Sequence, residues 1–191
     1  KQNSMAALTE IIGYLIQTLL GLLLITTLMR FVLQISKADF YNPLCQILIQ
    51  YTNPLLRPLR RIIPGYFGMD LAALVLMYSV NLIMFLLLFG LYGMMPSWPI
   101  FLIALLDLII HMAYVLIFII LIMVLMSFFQ ANPQNPATIL LHQASSYVLA
   151  PIRKRLKFGG PIDFSPMIAM LVLFAIITIS YGLMPGSLIG T

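Results

Sequence analysis

Charge is scarce in this chain. Only 8% of its 191 residues are charged, against roughly 25% in an ordinary soluble domain, and carboxylates number five. That scarcity excludes water as the main solvent. Cys45 is the single cysteine and there are two histidines, so no disulfide closes within the chain and no zinc-ligand set can be assembled. Nucleophile-elbow, Walker, dinucleotide-fingerprint and zinc-protease patterns are absent. The segments between apolar runs are too short to form a domain of their own. These absences speak against an enzyme and give no reason to expect a cofactor or a metal.

What is present is apolar: 62% of the residues are hydrophobic. A spanning helix needs about 20 apolar residues at 1.5 Å rise each. Four runs meet that length, residues 11–35, 71–95, 100–129 and 167–184. The first is too long for a signal-peptide core and lacks a small-residue cleavage site, so it is expected to be a retained helix, with Lys1 to Ser4 preceding a natural start at Met5. Pro96-Ser97-Trp98-Pro99 breaks the second run from the third and suits a turn at the membrane interface. Of the charged residues, only Glu10, Arg30 and Asp107 fall inside or at the edge of a run, as expected when burying a charge in hydrocarbon is costly.

The formal net charge is +5, and its distribution sets an orientation. Residues 36–70 hold Lys37, Arg57, Arg60 and Arg61, and residues 130–166 hold Arg153, Lys154, Arg155 and Lys157, whereas the opposite side offers Lys1 alone. The positive-inside rule then places both long connectors in the cytoplasm, with the termini and the Pro96 turn periplasmic. Cations concentrated beside apolar runs point to anionic lipid headgroups as partner and require no nucleic acid.

Sliding the chain along itself by 93 positions, with no gap, pairs Asn42-Pro43 with Asn135-Pro136, Gln50 with Gln143, Pro58 with Pro151, Arg60 with Arg153, and Asp70 with Asp163. Thr52 meets Ser145 and Arg61 meets Lys154 in the same frame. The expected fold is thus an all-α membrane protein, four transmembrane helices as two tandem hairpins, residues 1–97 and 98–191. Two crossings per copy give both copies one orientation, with a pseudo-two-fold axis along the membrane normal expected between them. The first connector carries the fuller motif, since Arg57 is matched by Ala150 and Pro54 by Tyr147.

Asn42 before Pro43, and Asn135 before Pro136, are N-cap and first-turn signals for short interfacial helices. The first is expected to run from residue 43 to about 51, then break near Pro58 into a second short turn. Arg57, Arg60 and Arg61 fall on one side of that turn and leucines and isoleucines on the other, an amphipathic pattern suited to lipid phosphates. Arg153, Lys154, Arg155 and Lys157 repeat it, so these seven residues are the candidate lipid- or partner-binding set. A juxtamembrane anchor that only fixes topology is the plainer reading of the same cations. Asp70 and Asp163 fall where spanning helices begin, positions for a cap that can also pair with an arginine of the same connector.

Inside the membrane, Asp107 and His111 lie one turn apart, with Tyr114 three residues on, a candidate ion or proton site. The alternative is a structural pair. Asn81, Ser79, Gln17 and Thr18 are expected to hold helices together, Arg30 to snorkel outward or reach Asp39 or Asp70, and Gly182, Gly186 and Gly190 give a weak helix-association spacing. Four helices bury little area, so self-association or a larger membrane partner is expected.

The run Asp39-Phe40-Tyr41-Asn42-Pro43, then residues 52–64 (TNPLLRPLRRIIP) and Gly68-Met69-Asp70-Leu71-Ala72, closely resembles the signature of the YggT family. The likeness covers the first copy fully and the second more loosely, which is the bacterial two-copy form. It implies a small bacterial inner-membrane protein with cyanobacterial and plastid relatives and no assigned catalysis. It also implies links to osmotic and potassium stress, to septum and nucleoid organisation and, in plastids, to haem attachment on cytochrome b6. A non-enzymatic scaffold or accessory factor is the leading expectation, and a component of a potassium or proton channel or transporter is the alternative.

Overall fold

A computed structural model describes residues 2–65, 69–129, 132–155 and 163–184, with side chains from Met5 onward. Six helices follow in order: α1 (Gln2–Ile35), α2 (Pro43–Ile62), α3 (Leu71–Leu91), α4 (Pro99–Phe128), α5 (Pro136–Arg155) and α6 (Ser165–Leu183). α1, α3, α4 and α6 are long and apolar enough to cross a membrane, whereas α2 and α5 are the connectors. The chain is an all-α, multi-pass membrane protein built as two helix–connector–helix repeats. Its surface shows the solvent for which it is built, since Leu15, Leu19 and Leu22 on α1, Phe118 and Leu121 on α4, and Leu171 and Phe174 on α6 are all exposed.

Boundaries differ from the expected ones where caps decide them. α3 stops at Leu91 instead of running to residue 95. Gly93 there adopts φ +68°, Met94 N–H donates to Phe89 O at 2.8 Å, and Gly93 N–H donates to Gly90 O at 3.3 Å. This left-handed C-terminal cap turns the chain away before Pro96. α1 ends by the same device with a costlier residue: Lys37 takes φ 53°, and Ala38 N–H reaches Leu33 O at 2.9 Å. α1 begins nine residues before the expected residue 11, at Gln2. α4 has 30 residues, about 45 Å of helix, longer than the hydrocarbon layer.

The connectors correct a second expectation. α2 is one 20-residue helix with Pro54 and Pro58 inside it, and α5 is its 20-residue counterpart with Pro151 inside. An internal proline removes one hydrogen bond and crowds the preceding turn. Packing of this stretch against the bundle offsets that loss: Thr52 and Leu56 are buried, and so are their copies Ser145 and Leu149.

Within each repeat the two spanning helices pack together and the connector packs on both. Between repeats, α3 lies against α4, α1 against α4 and α5, and α2 against α5. A two-fold would require α1 to meet α6 as α3 meets α4, and among the described residues α1 and α6 make no contact. The expected symmetric pairing is thus not realised. Its cause is in the side chains: Asn81 Nδ2 donates to Ala104 O at 2.8 Å and Tyr78 hydroxyl to Phe101 O at 3.1 Å, tying α3 to α4. The equivalent positions on α6 are Phe174 and Leu171, exposed and without a polar group to offer.

Candidate functional site at the connector end

Both connectors lie at the same end of the bundle and are latched to each other. Asn42 caps α2, its Oδ1 accepting Leu44 N–H at 3.0 Å, while its Nδ2 donates to Pro136 O, the first residue of α5, at 2.7 Å. Asp39 N–H donates to Gln143 Oε1 at 3.0 Å, a second link from first repeat to second. Asn135 Oδ1 accepts Ala137 N–H at 3.0 Å in the corresponding local turn, but Asn135 is exposed.

Arg60 and Arg153 sit on the last turns of α2 and α5, each ten residues before its carboxylate. Arg60 Nε donates to Asp70 Oδ2 at 3.0 Å, Arg60 Nη2 donates to the same oxygen, and Asp70 Oδ1 accepts Ala73 N–H at 3.3 Å as the N-cap of α3. In the second repeat, Arg153 Nε reaches Asp163 Oδ2 at 2.8 Å and Arg153 Nη2 reaches it at 2.6 Å. Asp163 is placed one residue too early to cap α6: Phe164 is at the N-cap, and Asp163 Oδ1 accepts Ser165 N–H at 2.9 Å. The copies differ most in burial, with the carboxylate side chain 4% exposed at Asp70 and 45% at Asp163. Bonds from Ser165, then the Arg153 guanidinium, hold the Asp163 carboxyl below its ordinary range.

These two clamps commit Arg60 and Arg153 to the fold. Arg57, Arg61, Lys154 and Arg155 remain exposed at the same end, with no ion pair among the described residues. Lys157 lies outside the described residues, as do Gly186 and Gly190. On the first turn of α2 itself, Cys45 is buried, and burial together with the nearby Asp39 charge pushes its thiol up.

Arg30 neither snorkels nor reaches a carboxylate. It is 5% exposed, and its Nη1 donates to Thr52 Oγ1 and, at 3.0 Å, to Asn53 Oδ1, both on α2. The Thr52 hydroxyl donates its own hydrogen bond to Leu48 O at 2.7 Å, which leaves its oxygen lone pairs free to accept. Reasoning from the sequence missed this arrangement. The usable signal was that Arg30 has no counterpart, because position 123 of the second copy is methionine.

Asp107 and His111 stand apart, on α4. His111 Nδ1 lies 2.9 Å from Asp107 O and 3.0 Å from Asp107 Oδ2. A single Nδ1–H serves one of these, and bonding to the carbonyl leaves Oδ2 buried without a hydrogen-bond partner among the described residues. Among the described residues no three His, Cys, Asp or Glu side chains gather as a metal would need. Gln17 and Thr18, expected to join helices, are exposed, and Gly182 has nothing within 4 Å of a built Cβ.

A family model described as CCB3/YggT matches residues 5–91 and again residues 101–184. An uncharacterized protein of Pseudomonas aeruginosa is 39% identical over 163 residues, 84% of this chain and 83% of its own. The Escherichia coli K12 protein YggT, itself uncharacterized, is 34% identical over 163 residues, 85% of each chain. A Haemophilus influenzae relative is 28% identical over 158 residues, 83% of this chain and 84% of its own. No solved structure matches the chain.

Proposed function

The chain belongs to the CCB3/YggT family through both of its repeats, and from that premise we propose a non-enzymatic accessory or scaffold protein of the bacterial inner membrane. Its paired cytoplasmic connectors bind anionic lipid or a membrane-protein partner and support envelope function under osmotic stress. The observation that carries this reading is the latched pair α2 and α5, which presents Arg57, Arg61, Lys154 and Arg155 together while the nearby carboxylates Asp70 and Asp163 are already paired. Each cation near an anionic surface contributes about 1 kcal/mol, screened by salt. Four of them on one latched pair of helices make a sizeable, salt-sensitive attraction. Mild-detergent purification from native membranes, with co-purifying lipids and proteins identified, tests it. The wild type should carry anionic lipid or a defined partner in excess over a variant with all four residues changed to glutamine. Equal recovery from both would sink the proposal.

A component of an ion path is the second reading, favoured by the buried Asp107 oxygen beside His111 at membrane depth. Potassium or proton flux in liposomes holding the purified protein, abolished by Asp107→Asn and by His111→Ala, would place it ahead of the scaffold.

A further inference from the structure

We propose that the hollow beneath α2 is a binding site for one singly charged phosphate group, the chemistry shared by a phospholipid headgroup and free phosphate. The site rests on the reading that this end of the bundle meets anionic lipid, and it adds a pocket of one occupant to the diffuse cationic surface. A cavity of about 560 Å³ opens there, bounded by Arg30, Gln34, Arg60 and Asp70, with Phe40 and Ile49 supplying apolar wall. That is ample for a phosphate and the glycerol attached to it.

Charge balance carries the argument. Asp70 is used up, one oxygen held by two Arg60 donors and the other by the first turn of α3. Arg60 and Asp70 therefore cancel. Arg30 is left over: among the described residues its Nη1 has only the neutral Thr52 and Asn53 oxygens, and its Nε is buried with no hydrogen-bond partner. A guanidinium buried without an anion is strongly unfavourable, and a planar fork with spare donors matches phosphate oxygens. One negative charge in the cavity would neutralise the cluster. Phosphodiesters carry one, and the aromatic and aliphatic wall suits the lipid part that follows the headgroup.

The second repeat serves as an internal control. Met123 stands where Arg30 does, Arg153 and Asp163 form a neutral pair, and the hydroxyls of Ser145 and Ser146 donate to the backbone of their own helix. Arg60, Asp70, Thr52 and Asn53 have charged or polar equivalents in Arg153, Asp163, Ser145 and Ser146, whereas the buried cation Arg30 does not, and Gln34, Phe40 and Ile49 are replaced by Ser127, Pro133 and His142, so one site per chain is expected. Arg30→Met copies the second repeat's solution and is the substitution to test.

The full chain in a mild detergent is titrated with phosphatidylglycerol, with phosphatidylcholine and with inorganic phosphate. Melting temperature is recorded, and retained lipid is counted by native mass spectrometry. One phosphatidylglycerol held per chain, with a higher melting temperature and no response to phosphate, supports the site with lipid as its source. A response to inorganic phosphate that displaces lipid supports it with the free anion as its source. Arg30→Met should weaken retention about tenfold, the effect of losing one charge-assisted hydrogen bond. The variant with glutamine at 57, 61, 154 and 155 should keep the single tightly held lipid even if it loses the surrounding excess, which separates this site from the broader reading. If neither lipid nor phosphate raises the melting temperature of the wild type, or if Arg30→Met retains lipid as well as the wild type does, the site does not exist. The wild-type titration decides even if the variant fails to fold.

Discussion

Asp70 both caps α3 and receives Arg60, so replacing it removes two separate contributions. A cap contributes about 1 kcal/mol, and an ion pair whose arginine is 37% exposed contributes at most about another. Asp70→Leu should therefore cost about 2 kcal/mol in thermal or denaturant unfolding, with Asp70→Asn near half of that because the amide oxygen still caps. Equal losses from the two would argue against the cap. The same change at the exposed Asp163 should cost less than about 1 kcal/mol. Its pH dependence has a definite sign. The folded carboxyl titrates below the ordinary 3.8, so its contribution is whole above that value and disappears as pH falls through the lower folded one. The gap between wild type and Asp163→Asn should be constant at neutral pH and close only in stronger acid. Lys37 offers the opposite case, a non-glycine residue whose backbone is held at φ 53°. Lys37→Gly should raise stability by about 1 kcal/mol; a loss would show that the lysine makes a contact outweighing its backbone cost. Cys45, buried and with its thiol pushed up, should resist alkylation at pH 8 until the protein is unfolded.

At the level of elements, the seam between α3 and α4 joins the repeats through Asn81 and Tyr78. Polar contacts between membrane helices contribute roughly 0.6 to 1.7 kcal/mol. Asn81→Leu should reduce stability by about 1 kcal/mol and lower the recovery of one half of the chain with the other when residues 1–97 and 98–191 are co-expressed as separate pieces. Undiminished recovery would assign the seam to apolar packing alone. The prolines of α2 show how far an element departs from its local preferences. Pro54 and Pro58 favour a break, yet one helix persists because Thr52 and Leu56 are buried and Arg30 grips α2 at Thr52 and Asn53.

For the whole molecule, a one-sided placement of both connectors is the decisive property. Their latch through Asn42 and Gln143 requires that they share a compartment, and moving eight cations across hydrocarbon is prohibitive. In a Cys45→Ala background, single cysteines at Gln50 and Gln134 should be labelled by a membrane-impermeant reagent only after the inner face is opened. A cysteine at Trp98, which is 76% exposed in the opposite turn, should be labelled in intact cells. The reverse pattern would invert the orientation and move the proposed lipid-binding surface to the periplasmic face.

The order of apolar runs, their number and the duplicated connector motif were legible in the residues alone, because membrane insertion responds to local hydropathy and a repeat keeps its register whatever it packs against. The pairings Arg60 with Asp70 and Arg153 with Asp163 were half-legible, since spacing brings the groups near each other and only burial distinguishes the two copies. The continuity of α2, the seat of Arg30 and the one-sided seam of α3 on α4 were decided by tertiary structure. Each depends on which surface of one helix meets which surface of another. An arginine in an apolar run has no fixed partner until a second element brings a hydroxyl and an amide oxygen to it.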